Sequence, residues 1–400
     1  MNKNTTLNLS WVREQFPALE GNEVFMDNAG GSQTLKTVMH RITDYLTHYD
    51  VQLGASYGTS QAAEEKLNQS KKTLQKWINA AHVNEVMIGS STTLLLRILS
   101  LCISQNWQVG DEVIITNCDH EANMAPWRDL QKIGIKVKTW QLNPKTYQFD
   151  IQDLAKLMSN KTKLVALTHV SNILGSINPI KKITTFIHQH DALVCVDGVA
   201  YAPHRSLDVQ DLDVDFYVFS TYKTFGPHQA IMYGKLHLFE SMNGINHPFI
   251  ESVPYKFQPG NVNYELSYSL AAIPKYIAQL GGNDQQKGYE LIAEYEQCLT
   301  QRLLAYLNEN NNISIIGETS SDTALRVATV SFVHNRLKSD EIVTQIDAHN
   351  IGIRFGDFYA VELIDDLNLR QYNGVVRISL VHYNSPEEVD KLIEIFHSIL

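Results

Sequence analysis

The sequence predicts an α/β fold on a mostly parallel sheet, followed by a smaller α+β domain, and three observations predict it. Short runs rich in β-branched and aromatic residues alternate with helix-length segments through the first two thirds of the chain. Several of these runs end on a polar or charged residue followed by a turn. After Gly260 the alternation stops, and two long helical stretches precede widely spaced strands.

Strands are expected at 112–116, 135–140, 164–168, 193–197, 216–220 and 230–233, with helices between them that include 151–158 and 180–190. In the second part, helices are expected at 268–280, 289–308 and 340–348, and strands near 328–332 and 375–380. The closing helix has a marked start: Ser385 caps it, Pro386 takes the first helical position and Glu388 completes a capping box. No internal repeat or low-complexity linker separates the halves. The expected division is a large α/β domain over 20–262 and a small α+β domain over 263–400 that takes in 1–19.

The chain has 400 residues, more than one hydrophobic core usually organises. Its 44% hydrophobic and 19% charged residues are ordinary for a globular protein. A net charge of −10 with no long basic run gives no electrostatic support to a nucleic-acid or anionic-membrane partner. No apolar stretch is long enough to span a bilayer, and the polar start, Met1 to Ser10, lacks a signal peptide's apolar core, so a cytoplasmic location is expected. Cys102, Cys118, Cys195 and Cys298 form no Cys-x-x-Cys pair and no zinc spacing, and read as reduced packing residues. No metal is expected; His188 and His190 do not face one another on a helix.

Four segments carry chemistry. The apolar strand ending at Ser220 runs into Lys223, with Gly226-Pro227 turning the chain. Ligands bind at the carboxyl ends of strands in open α/β sheets, and a desolvated lysine there has a free amine for a carbonyl. Alone, Lys223 reads as a loop lysine. Asp197, however, ends another apolar run and brings a carboxylate to the same edge. Pyridoxal phosphate needs both groups, a lysine for its aldehyde and a carboxylate that keeps its ring nitrogen protonated. Gly89-Ser90-Ser91-Thr92-Thr93 opens an apolar helix, and such a start suits a phosphate as well as simple capping. His120 follows a strand end, where an imidazole can lie on a cofactor ring or act only as a loop residue. No Gly-x-Gly-x-x-Gly or Walker sequence competes for the phosphate, which counts against a nucleotide-binding enzyme.

Together these segments resemble the class V aminotransferase and cysteine desulfurase family of fold-type I pyridoxal-phosphate enzymes. Thr168-His169-Val170-Ser171-Asn172-Ile173-Leu174-Gly175 is similar to that family's Thr-His-x-Ser-Asn-x-x-Gly. Val196-Asp197-Gly198, the run 213–220, Lys223 and Gly226-Pro227 follow in order. Asp27-Asn28-Ala29-Gly30 and Arg377-Ile378-Ser379 with Tyr383-Asn384-Ser385 also fit. The resemblance implies that Lys223 carries the cofactor and is catalytic with His120, which would stack on the ring. It implies that Asp197 pairs with the ring nitrogen and that Asn172 lies near the phenolic oxygen. Thr92, Thr93, Ser220 and Tyr222 would hold the phosphate, with Ser91 a close competitor one residue away, and Asn261 stands at a further cofactor-binding position of the family. Arg377 would bind the substrate carboxylate, near Asn28, Ala29, Arg354 and Tyr359. A homodimer with active sites at the interface is implied as well.

Four departures from the family pattern stand out. The loop that carries a persulfide-forming cysteine in the desulfurases reads Arg354-Phe355-Gly356-Asp357-Phe358-Tyr359-Ala360, with Tyr359 at the cysteine position. Ala200 stands where the family has a glutamine, Tyr222 where it has a histidine, and Asn261 where it has a threonine often supplied across the dimer. The expected function is therefore pyridoxal-phosphate chemistry on a small α-amino acid without a persulfide relay, with β-elimination as a carbon–sulfur lyase leading. Transamination and epimerisation share the first proton loss and are alternatives. A catalytically silent cofactor-binding partner protein is the alternative of another class; the retained Lys223, Asp197 and Arg377 speak against it.

Overall fold

A computed structural model describes residues 7–400. Thirteen strands occur among them: β1 Val24–Phe25, β2 Val86–Gly89, β3 Glu112–Thr116, β4 Lys136–Trp140, β5 Thr162–Thr168, β6 Leu193–Asp197, β7 Phe216–Ser220, β8 Ala230–Gly234, β9 Ile313–Ile316, β10 Thr329–His334, β11 Ile351–Gly352, β12 Arg354–Gly356 and β13 Val375–Ser379. Seven form the main sheet in the order β2-β8-β7-β6-β5-β3-β4. β8 alone runs against its neighbours. Strands β3, β5, β6 and β7 are almost wholly buried, as expected for a sheet covered on both faces.

One core, which includes Ile114, Val165, Val194 and Phe219, lies on one face of this sheet; another, with Val113, Leu164, Cys195 and Val218, lies on the other. The alternation of neighbouring residues between the two cores follows from the strand period of two. A second, antiparallel sheet, β12-β13-β10-β9, packs on the helices Gln285–Glu309, Ser339–Asp347 and Pro386–Ile399. Its core includes Leu303, Val330, Ile342, Ile378 and Leu392. Ser385 caps the last helix with the expected capping box to Glu388.

The α/β expectation holds, and the details differ where local context decides. The stretch expected as one helix over 268–280 is two helices, Tyr264–Ser269 and Ala272–Leu280. Pro274 falls in the first turn of the second, where its missing N–H costs nothing, whereas a continuous helix would set its ring against the Leu270 carbonyl. The hydrophobic clusters run across 262/263. Val12 and Phe16 pack with the main sheet, as do Ile273, Ile277 and Tyr289. Val24 and Met26 instead join the smaller core, because β1 pairs with β11. Of the 1–19 segment, residues 1–6 lie outside the described residues. No helix among the described residues is long and apolar enough to cross a membrane.

The main sheet delivers the carboxyl ends of β2, β3, β5, β6 and β7 to one edge. Residues 90–93, 117–123, 169–175, 198–200 and 221–223 follow those ends directly, and the site is built from them.

Candidate active site

Lys223 closes the short turn Thr221–Lys223 at the end of β7, and Asp197 is the last residue of the neighbouring β6. Both are buried and line one cavity of about 520 Å³. Burial pulls the Lys223 amine down to about 8; Arg377 adds to the effect and Asp197 opposes it. Burial likewise lifts Asp197 to about 6, against a hydrogen bond from Val199 N–H to its Oδ1 at 2.8 Å. That is the one hydrogen bond to this carboxylate among the described residues, and Oδ2 is left for a donor in the cavity.

His120 lines the same cavity. Its Nδ1 accepts the Ala122 N–H at 3.0 Å, which places the ring proton on Nε2. Burial first, then Lys223 and Arg377, lowers it to about 4, so the imidazole is neutral near pH 7. The opposite end of the cavity is the start of helix Thr92–Ile103. Ser91 caps it by accepting Leu94 N–H, and Thr92 Oγ1 lies 2.7 Å from Ser220 Oγ. Ser91, Thr93 and Tyr222 complete this end. Tyr222 stacks on His228, with centroids 4.7 Å apart and planes 7° apart.

A second cavity of about 890 Å³ shares His120, Asn172, Tyr222 and Lys223 with the first and opens outward past Ala29, Arg354, Tyr359 and Arg377. Arg377 is 2% exposed, and its Nε has no partner among the described residues. Its Nη2 lies 2.7 Å from Asp27 Oδ1, and its Nη1 donates to the Asn172 carbonyl at 3.2 Å. The Phe358 ring lies under the guanidinium, 3.7 Å from centroid to Cζ. Arg354 faces Arg377 across the β12–β13 register with a mostly exposed side chain.

The loop after β12 ties these groups together. The Phe358 carbonyl accepts the Asn172 amide at 2.9 Å, and the Tyr359 carbonyl accepts Glu121 N–H at 2.8 Å. Tyr359 also sets its ring against His120, with centroids 5.2 Å apart. Phe358 and Tyr359 both hold positive φ, +51° and +60°, a costly backbone for bulky residues that clusters at functional sites.

Two expected site residues lie elsewhere. Asn28 is buried outside both cavities, donating to the carbonyls of Phe25 and Ser379 and to Asn384, and accepting from Tyr383. It fastens the first strand to the end of β13, because a buried amide must satisfy its own polar atoms. Asn261 bonds Gln52 at 3.1 Å and lines a separate cavity beside Ser90 and Leu94. Within one chain it does not reach Lys223. The sequence reading missed Asp27, Thr168 and Phe358. Thr168 ends β5 opposite Asp197, and strand-end position alone would have found it.

None of the four cysteines lines either cavity. Cys195 faces the core, and Cys118, although close in sequence to His120, is buried with its thiol pushed up by desolvation. The donor set fits pyridoxal phosphate: a depressed lysine amine, a buried carboxylate with a free oxygen, a neutral imidazole, and a helix start rich in hydroxyls.

The Aminotransferase class-V family model matches residues 24–392. The chain is 42% identical to the aminotransferase-like protein FGM3 of Gibberella zeae, over 97% of this chain and 98% of that one. It is 32% identical to the cysteine desulfurase-like protein ustD of Aspergillus flavus, over 94% and 87%. Among solved structures, the apo cysteine desulfurase of Thermococcus onnurineus superposes with a TM-score of 0.89 at 25% identity, covering 99% of this chain and 98% of that one.

Proposed function

The chain belongs to the class V aminotransferase family, whose members include the cysteine desulfurases, and on that premise we propose that it is a pyridoxal-phosphate enzyme that removes the Cα proton of a small α-amino acid and completes a β-elimination without a persulfide. The observation that carries this reading is Lys223 and Asp197 on adjacent strand ends of a cavity closed by a helix start, with no thiol in it.

When bound, the cofactor supplies an electron sink for the carbanion. The chain's residues do the rest. Ser91, Thr92, Thr93, Ser220 and Tyr222 hold the phosphate, where helix N–H groups favour an anion. Asp197 Oδ2 would hold the ring nitrogen in its protonated form, and neutral His120 and Asn172 would line the cofactor's place, with Ala200 supplying no side-chain donor there. Arg377 takes the substrate carboxylate and orients Cα toward Lys223. The Lys223 amine is close to neutrality and moves the proton at Cα, as a base matched to the working pH. Tyr359 and Arg354 line the outer cavity, which would receive the group that leaves Cβ with its bonding electron pair.

Transamination is the second reading, favoured by the aminotransferase-like relative. We also infer a homodimer. Leu94 and Leu101, seven residues apart on the helix that starts at the site, are both exposed, which suits a buried partner face. The deciding experiment is a screen of amino acids by absorbance, with pyruvate, ammonia, sulfide and keto acids assayed together. Pyruvate with ammonia supports elimination. A keto acid with the cofactor left in its amine form supports transamination. No spectral response to any amino acid supports the silent binding protein.

A further inference from the structure

Asp119 is a buried acid to which the reading above gives no role. It sits in the turn after β3, one residue before His120, and is 1% exposed. Three donors converge on its carboxylate. The Thr116 hydroxyl and the Thr168 N–H (3.1 Å) reach Oδ2, and the Asn123 amide reaches Oδ1 at 2.6 Å. Thr116 Oγ1 also accepts the Cys118 N–H at 3.3 Å, which leaves its hydrogen for Asp119. All three partners give hydrogens, so the arrangement suits an ionised carboxylate.

Burial opposes that charge and lifts the carboxyl to about 7, with Asp197 adding to the lift. None of its hydrogen-bond partners is a cation. The titratable groups that face it are Asp197 on β6 and the thiols of Cys118 and Cys195, both kept neutral by burial. A buried carboxylate with no countercharge is costly, so an acid built this way calls for positive charge nearby. Thr168, which donates to Asp119, is the register partner of Asp197. Thr168 and Asp197 both line the cavity, and Asp119 lies behind them, held to the Thr168 backbone and near enough to Asp197 for the two charges to interact.

We propose that Asp119 is a positioning residue of the cofactor cavity, pinning the His120 turn to the end of β5 and adding a second negative charge behind Asp197 that favours a protonated ring nitrogen. This rests on the reading of the cavity as a pyridoxal-phosphate site. Its electrostatic part costs no rearrangement on binding, because the three donors already hold the carboxylate in place.

The test titrates pyridoxal phosphate into cofactor-stripped wild type, Asp119→Asn and Thr116→Val, following the visible band across pH and recording melting temperature alongside. Asp119→Asn keeps the size and removes the charge. It moves the pH midpoint of the band downward by about one unit, the effect of one nearby charge. It also weakens cofactor affinity by about tenfold, the same unit expressed as binding. Thr116→Val keeps the carboxylate but removes a donor, and shifts the midpoint in the same direction by less. If Asp119→Asn does not fold, Thr116→Val carries the comparison. Wild type that takes up no pyridoxal phosphate ends the reading of the cavity and this role with it. Wild type that binds, with the variants at its midpoint and affinity and only their melting temperatures lowered, overturns the role of Asp119 alone.

Discussion

Arg377 Nη2 lies 2.7 Å from Asp27 Oδ1, so the guanidinium best placed to take a substrate carboxylate already holds one. Its Nε has no partner, and Arg354 stands 3.9 Å from the other Asp27 oxygen. A bound substrate therefore competes with, or completes, an existing ion pair. Replacing Arg377 by Ala weakens amino-acid binding by about 2–5 kcal/mol, as for truncating one partner of a buried charge pair. Cofactor content should stay near wild type, because Arg377 is not among the residues proposed to hold the phosphate and lies outside the inner cavity. An unchanged KM for the best substrate in Arg377→Ala would remove this residue from the site.

Lys223 is the cofactor-bearing residue on this reading, and its environment predicts a pH dependence. Its amine is pulled down to about 8, so the free form grows as pH rises through that value. The rate at which stripped protein takes up pyridoxal phosphate should rise from pH 6 through about 8, where half the amine is free, and level off roughly one unit higher, since the attacking form is the neutral amine. Borohydride should then fix the cofactor on one lysine, and peptide mapping should find it at Lys223. A label on another lysine refutes the assignment.

Far from the site, His188 lies 2.9 Å from Asp215 and 3.2 Å from Asp213, with Lys235 bridging the two acids. The bond to Asp215 raises the His188 pKa above its usual value, against burial. A raised folded-state value means that the protonated form favours folding. The contribution is complete below the unfolded histidine value and is lost as pH rises through the higher folded value. Melting temperature should therefore fall across the range just above pH 6.5, and His188→Gln should flatten that part of the curve. A His188→Gln curve that keeps the wild-type slope there would assign the fall to other groups.

How much of this was legible depends on where each residue's partners lie. Asp197 and Lys223 could be found because buried strands of apolar residues end on them, and their role follows from position at a strand end. Ser91 and Thr92 were visible as a helix start for the same local reason. The role of Asp27 is set by Arg377 and that of Asn28 by Ser379, each about 350 residues away, and no local pattern separates a site acid from a neighbouring structural amide. The four-residue strand Val86–Gly89 escaped notice because it is too short to show a period. The place of Asn261, on Gln52 and outside the cavity of Lys223, is set by a contact about 200 residues away that no local pattern shows.

The Tyr359 position separates this chain from the desulfurases it resembles. In the structure Tyr359 stands at the mouth of the outer cavity against His120, its carbonyl held by Glu121, so the loop brings a phenol to the place where a thiol would act. Among the cysteines, Cys102 and Cys195 are packed in the core and Cys298 is exposed on the helix Gln285–Glu309. Cys118 is the one nearest His120 in sequence. It is buried, lines neither cavity, and has its thiol pushed up by desolvation and by Asp119. A thiol in that state has almost no thiolate to accept sulfur. Incubation with cysteine should therefore leave no persulfide on the protein. Any turnover of sulfur amino acids should yield sulfide, pyruvate and ammonia in equal amounts, with no alanine. Replacing Cys118 and Cys298 by Ser should leave that turnover within about twofold of wild type, as for residues outside the reacting groups. Mass spectrometry that finds a persulfide on Cys118, with alanine as the product, would place sulfur transfer back in this site.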